Sequence, residues 1–70
     1  MKMKIRLLAG DDPESRRAET AFKEFARKGV ISLDVEPGCD IVPAAFIGNM
    51  SYVGARNVEF VISALGGSLV

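Results

Sequence analysis

The residues Asp12-Pro13-Glu14-Ser15 stand where a short apolar segment gives way to a helical pattern. At a helix start, side chains three positions apart are neighbours, and the free N–H groups of the first turn can bind an anion. The carboxylates of Asp11, Asp12 and Glu14 would repel an anion there. As a plain helix start, Asp12 is the N-cap, Pro13 the first helical residue and Glu14 an acid at the positive end of the helix dipole.

Cys39 is the only thiol of the chain, and there is no histidine. One cysteine cannot form an internal disulfide, and the Cys and His sets that bind zinc are missing. We therefore expect no metal and no cofactor. A single-thiol reaction, such as glutathionylation or an intermolecular disulfide, would need a lowered thiol pKa, which a nearby helix N-terminus can supply. The simpler interpretation of Cys39 is a small residue in a turn.

Charge and hydropathy exclude several classes of protein. Nine basic and nine acidic residues cancel, whereas binders of nucleic acid or anionic membranes carry a basic excess. No apolar run approaches the ~20 residues of a membrane span. The basic start is followed only by Ile5–Ala9, which is too short for a signal-peptide core. We expect a cytoplasmic protein with one domain, residues 1–70, near the lower size limit for folding without disulfides.

Hydrophobic periodicity predicts the element order β-α-β-β-β-α. Apolar stripes at helical spacing indicate two helices, the second capped by Asn57. Gly48-Asn49 is a two-residue hairpin signal, and Glu36 to Asp40 is a turn. The predicted strands are residues 2–9, 30–35, 44–47 and 50–53. The apolar stripe of the first helix is Ala18, Ala21, Phe22, Phe25 and Ala26, and that of the second is Val58, Val61, Ile62 and Leu65. The predicted i,i+4 ion pairs of the first helix are Glu19–Lys23 and Glu24–Lys28.

The first two strands alternate between apolar and polar residues. Lys4 and Arg6 share one face of the first strand, and Ser32 and Asp34 share one face of the second. A sheet covered by helices on both faces would have nearly continuous apolar strands. The alternation therefore predicts an α+β two-layer sandwich, with both helices on one face of the sheet and the other face open.

The segment Lys4–Gly10, followed by Pro13 and a helix, resembles the opening of small thioredoxins and glutaredoxins, especially the short archaeal and bacterial thioredoxin-like proteins. Val42–Asn49 is similar to their cis-proline strand and hairpin. Gly54 and the helix through Leu65 are similar to their C-terminal segment. The resemblance implies a reduced thioredoxin-like fold with a four-stranded mixed sheet.

Two departures from that family bear on chemistry and topology. The family's two active-site cysteines map onto Asp12 and Ser15, so Asp12-Pro13-Glu14-Ser15 would be a relic and no catalytic residue remains. The family also has a helix between its second and third strands, where this chain has only Glu36–Val42. Seven residues at ~3.3 Å each can still cross the first strand to reach its far side, ~10 Å away. A plain hairpin between the second and third strands is the alternative.

The resemblance implies a cis Val42-Pro43 bond and an adjacent backbone that pairs with an extended peptide. The candidate binding residues are Val42, Pro43, Asp12 and Cys39. We therefore expect a redox-inactive module that binds a protein or peptide. A thiol-disulfide protein acting through Cys39 alone is the alternative, and an accessory structural protein is a third possibility.

Dimerisation is a separate expectation from the sequence. Lys4, Arg6 and Asp34 are expected to form a solvated sheet face, and the alternative is that this face packs against a second copy. Ala45, Ile47 or Tyr52 would contribute according to the strand register.

Overall fold

The computed structural model describes residues 3–38 and 42–67 of the chain. Its four strands form one mixed sheet in the order β2-β1-β3-β4, in which β1 is parallel to β2 and antiparallel to β3. The crossover topology is therefore confirmed, and the alternative hairpin between β2 and β3 is wrong. In chain order the elements are β1 (Met3–Ala9), α1 (Pro13–Arg27), β2 (Ile31–Pro37), β3 (Ala44–Ile47), β4 (Met50–Val53) and α2 (Ala55–Gly67).

Both helices cover the same face of the sheet, which confirms the two-layer sandwich. The alternating apolar side chains of β1, Ile5 and Leu7, are fully buried beneath them. Phe22 and Phe25 of α1 meet edge to face, with ring centroids 6.5 Å apart and planes at 70°. Both rings belong to one apolar cluster, to which the two helices and three strands contribute. Its buried members are Ile5, Leu7, Ala18, Phe22, Phe25, Ile31, Ala45, Val58, Val61 and Leu65.

The other face of the sheet is open, and its polar residues Lys4, Arg6, Ser32 and Asp34 are exposed. Arg6 on β1 forms an ion pair with Glu36 on β2, with Nε and Oε2 3.0 Å apart. Both side chains are well exposed, so this pair contributes little to stability.

The expected contribution of Ala45, Ile47 and Tyr52 to this open face is wrong. Ile47 lies opposite Ile5, and Ala45 opposite Leu7. Tyr52 in turn lies opposite Ala45. Because residues directly opposite in a sheet share a face, all three point towards the helices. The intervening residues, Phe46 on β3 and Val53 on β4, lie on the open face instead.

β2 extends to Pro37, two residues beyond the predicted end at Val35. Glu36 and Pro37, which were predicted to lie in a turn, therefore belong to β2, and the end of that predicted turn, residues 39 and 40, lies outside the described residues. Proline is tolerated here because β2 is an edge strand, where a missing N–H removes no essential ladder bond. Pro37 lies opposite Ala9, and the N–H of Gly38 donates to the carbonyl of Ala9 at 3.1 Å.

α2 begins at Ala55, so the prediction that Asn57 caps it is wrong. Gly54, with φ of +94°, turns the chain into the helix, and its carbonyl accepts the first helical bond from the N–H of Val58 at 3.0 Å. Asn57 lies inside the first turn, where its side-chain amide donates to the carbonyl of Val53 at 2.8 Å.

The two predicted ion pairs on α1 have different outcomes. Lys23 and Glu19 are paired, with Nζ and Oε2 2.7 Å apart. Glu24 pairs with Arg27 rather than with Lys28. Lys28 is the C-cap of α1, and its backbone N–H donates to the carbonyl of Glu24 at 3.1 Å. Within residues 3–38 and 42–67, no helix is long and apolar enough to cross a membrane.

Candidate functional site

The candidate site lies at the carboxyl end of β1, where α1 starts. Asp12 has extended backbone angles and is the N-cap of α1, followed by Pro13. Its Oδ2 accepts the backbone N–H of Ser15 at 3.0 Å, and its Oδ1 accepts the Ser15 hydroxyl at 2.6 Å. The predicted helix start is therefore confirmed, with the serine hydroxyl as an additional partner of the cap.

This arrangement determines what Asp12 and Ser15 can do chemically. Ser15 is fully buried, and its hydroxyl proton is engaged by Asp12, so it is not a surface nucleophile. The same hydroxyl is the main reason that the pKa of Asp12 lies below its ordinary value of 3.8. Asp12 is therefore charged at neutral pH, and together with exposed Asp11 and Glu14 it makes the start of α1 unfavourable for an anion.

Val42 and Pro43 reach the same end of β1 from the other side, and the peptide bond between them is cis. A Cβ placed on Gly10 would lie 2.9 Å from Cγ2 of Val42 and 3.0 Å from Oδ1 of Asp12. The two side chains therefore flank the same backbone position. Only glycine fits there without displacing one of them, so Gly10 allows the N-cap and the cis-proline segment to approach each other.

Gly38, the residue after β2, has a similar role. A Cβ at this position would collide with Cγ1 of Val42 and lie 3.2 Å from Cβ of Leu8. Leu8 belongs to the open face of β1, since it alternates with buried Leu7. Gly38 therefore lies beside the open face near the end of β1, and Val42 packs closely between two glycines.

The hydrogen bonding of Val42 and Pro43 distinguishes the two residues. Pro43 is buried, and its carbonyl accepts the N–H of Gly54 at 2.9 Å. Val42 is only half-buried, and its backbone N–H and carbonyl form no hydrogen bond with any residue in the ranges 3–38 and 42–67. No described residue therefore occupies these two groups.

Of the four predicted binding residues, the structure brings Asp12, Val42 and Pro43 together. Cys39 lies outside the described residues. Between residues 3–38 and 42–67 there is no group of His, Cys, Asp or Glu side chains that could hold a metal ion. Sequence reasoning missed Gly10 and Gly38, because a lone glycine gives no signal of the side chain that it allows to approach.

Concave surfaces also lie away from this site among the described residues. One, of about 450 Å³, lies on the open face between Lys4, Arg6, Asp34, Phe46 and Gly48. The other, of about 200 Å³, is apolar and lies between α2 and the hairpin end of the sheet. Sequence reasoning missed this second groove. Its signal in the sequence is Phe60, which lies between Val58 and Val61 of the apolar stripe of α2.

Comparison with known proteins adds no relative, since no protein-family model, curated protein or solved structure matches the chain. Its function has to be inferred from its fold and from the geometry of its site.

Proposed function

We propose that this chain is a redox-inactive protein of the thioredoxin and glutaredoxin type, which binds an extended protein or peptide segment beside Pro43. The observation that carries the proposal is the position of Val42. Its side chain is fixed against Gly10 and Gly38, while its backbone N–H and carbonyl have no hydrogen-bond partner among the described residues. An extended segment supplies a donor and an acceptor of matching geometry, as in recognition by strand addition.

The expected affinity is modest. Two hydrogen bonds each contribute only about 0.5–1.5 kcal/mol net, whereas a dissociation constant of about 1 mM already corresponds to about 4 kcal/mol. Side chains of the bound segment must therefore supply part of the binding energy. Asp11 and Pro13 are the exposed neighbours available to them.

The absence of dithiol chemistry follows from the residues at the start of α1. Asp12 and Ser15 stand where the family that the sequence resembles has its cysteines, and neither can form a disulfide. The Ser15 hydroxyl instead donates a hydrogen bond to the carboxylate of Asp12. This hydrogen bond stabilises the start of α1 without a disulfide. The proposal assumes a cytoplasmic location, since a single cysteine without an internal disulfide is usual in a reducing compartment.

A turnover assay separates this proposal from the single-thiol alternative. The reduction of insulin by dithiothreitol should proceed at the same rate with and without the protein. Acceleration that disappears in Cys39→Ser would mean that the chain is an oxidoreductase acting through its one thiol, and the proposal would be wrong.

Binding can be tested with a display library of short random peptides. Selected peptides should shift the amide resonances of Val42, Ala44 and Gly10 in a titration of the isotope-labelled protein, and should slow amide exchange at Val42. As a control, Lys4→Gln changes an exposed residue of the open face at the other end of β1 and should leave the affinity unchanged. The proposed site would be contradicted if the peptides shifted only amide resonances of other residues. It would also be contradicted if no peptide bound with a dissociation constant below about 1 mM.

A further inference from the structure

An apolar groove lies at the end of the sheet opposite Val42. It is formed by the first residue of β1, the hairpin strands and the second half of α2, and has a volume of about 200 Å³. Among residues 3–38 and 42–67, no charged residue lines it, although charged residues make up 26% of the chain. The lining residues are Met3, Ile47, Tyr52, Phe60, Val61, Ala64 and Leu65.

Large apolar side chains protrude at the rim of this groove. Phe60 is 69% exposed and Met3 is 45% exposed. Met50, which is 59% exposed, lies opposite Ile47 across the hairpin and therefore on the same face. Single exposed apolar residues are ordinary, but a contiguous group around a groove is typical of an interaction surface.

The shape and charge of this surface favour a second copy of the chain as its occupant. In a twofold symmetric contact the same patch faces itself, so it must contain both a protrusion and a recess. Phe60 supplies the protrusion, and the adjacent groove supplies the recess. Facing patches without charged residues do not repel, and the net charge of zero adds no long-range repulsion between copies.

The available area predicts a weak dimer. At ~150–250 Å² for a large aromatic side chain, the protruding residues and their half-buried neighbours offer roughly 400–500 Å² per protomer. The total of about 800–1,000 Å² is at the lower limit of specific interfaces, which begin near 1,000 Å². Such a contact is reversible and depends on protein concentration.

The open sheet face is a poorer surface for self-association. Its basic residues lie on β1 and its acidic residues on β2. In a symmetric contact that pairs opposite charges, β1 of one copy would face β2 of the other. With strands ~4.8 Å apart, the two sheets are then displaced sideways, and only two strands of each sheet overlap. If the two sheets overlap completely, this charge pairing is lost. The open face therefore offers either a large buried area or charge complementarity, but not both.

We propose that the chain forms a symmetric, weakly associated homodimer through this apolar groove, with Phe60 of each protomer inserted into the groove of the other. The contact lies at the far end of the sheet from Val42 and Pro43. Both peptide sites of a dimer therefore remain accessible, and the dimer does not depend on the proposed function.

Sedimentation equilibrium of the full chain over a range from about 1 μM to about 1 mM tests the proposal. The average mass should rise from 7.5 kDa towards twice that value. Phe60→Ser should weaken association at least tenfold, because a central aromatic anchor is lost from both protomers. Val53→Ser, the control on the open face, should leave the dissociation constant unchanged.

Intrinsic fluorescence gives a second readout at the groove itself. Tyr52 is the only tyrosine and there is no tryptophan, so the emission of the chain reports on one lining residue. It should change with concentration in parallel with the mass, and should stop changing in Phe60→Ser. A mass that stays at 7.5 kDa at the highest concentration, or a dimer that Val53→Ser weakens and Phe60→Ser does not, would overturn the proposal.

Discussion

The hydroxyl of Ser15 donates to Oδ1 of Asp12 at 2.6 Å, while the backbone N–H of Ser15 donates to Oδ2 at 3.0 Å. One carboxylate thus satisfies two donors of the first turn of α1, both on the fully buried residue Ser15. The Asp12–Ser15 pair therefore has a structural role of its own at the start of α1.

Removing either partner should have unequal effects on stability. Ser15→Ala deletes a hydroxyl with its hydrogen bond and should cost about 1 kcal/mol. Asp12→Ala should lower the melting temperature more, because it removes the N-cap and leaves the Ser15 hydroxyl buried without an acceptor. Thermal unfolding of both single variants and the double variant checks this. The double variant should be less destabilised than the two single effects combined, and strict additivity would contradict the coupling.

The same pair predicts a pH dependence. The Ser15 hydroxyl holds the pKa of Asp12 in the folded protein below its ordinary value of 3.8. A depressed pKa contributes stability that is fully present above the unfolded value and is lost as the pH falls through the folded value. The melting-temperature difference between the wild type and Asp12→Asn should therefore be constant near neutral pH and shrink below about pH 4. In the Ser15→Ala background, this melting-temperature difference should change less as the pH falls. The same pH dependence in both backgrounds would mean that the Ser15 hydroxyl does not lower the pKa of Asp12.

The core prediction concerns three phenylalanines in different environments. Phe22 is fully buried and Phe25 is 7% exposed, whereas Phe60 is 69% exposed. Phe22→Ala and Phe25→Ala should each cost about 3–5 kcal/mol, which is close to the whole stability of about 5 kcal/mol expected for a small domain. Phe60→Ala should cost far less under dilute conditions. Urea unfolding of the three variants is the measurement, and similar midpoints for all three would mean that the helix faces are wrongly assigned.

The glycine beside Val42 gives a prediction about the site itself. In Gly38→Ala the new methyl group collides with Val42 and approaches Leu8, so the variant should lose about 1–3 kcal/mol, as overpacked cores do. Adding Val42→Ala should restore part of this loss. Gly29→Ala is the comparison, since Gly29 has φ of +82° but nothing within 4 Å of a Cβ. Its loss should come from backbone strain alone and should not respond to Val42→Ala.

The parts of the fold predicted correctly follow from local patterns. The alternation of Lys4, Ile5, Arg6 and Leu7 placed β1 and its faces, and Asp12 with the following proline marked the start of α1. Such signals depend only on residues that are near one another in sequence. The open sheet face was predicted in the same way, from polar positions recurring at period two.

The errors concern register and element ends, which depend on distant residues. Whether Ala45 or Phe46 faces the helices is determined by the pairing of β3 with β1, and a shift of one residue reverses it. Asn57 resembles a helix cap in sequence, but Gly54 supplies the turn that starts α2. The meeting of Asp12 with Val42 required the crossover topology, which the sequence left open beside a hairpin.

We propose that this fold has the frame of a dithiol oxidoreductase, with Asp12 and Ser15 in place of the two cysteines. Introducing Asp12→Cys and Ser15→Cys into a Cys39→Ser background tests it most directly. We expect the two new thiols to form an internal disulfide and to accelerate the reduction of insulin by dithiothreitol, while Cys39→Ser alone stays inactive. Thr20→Cys with Lys23→Cys, an exposed pair of equal spacing within α1, should not accelerate it. A folded Asp12→Cys, Ser15→Cys variant with no activity above this control would contradict the claim.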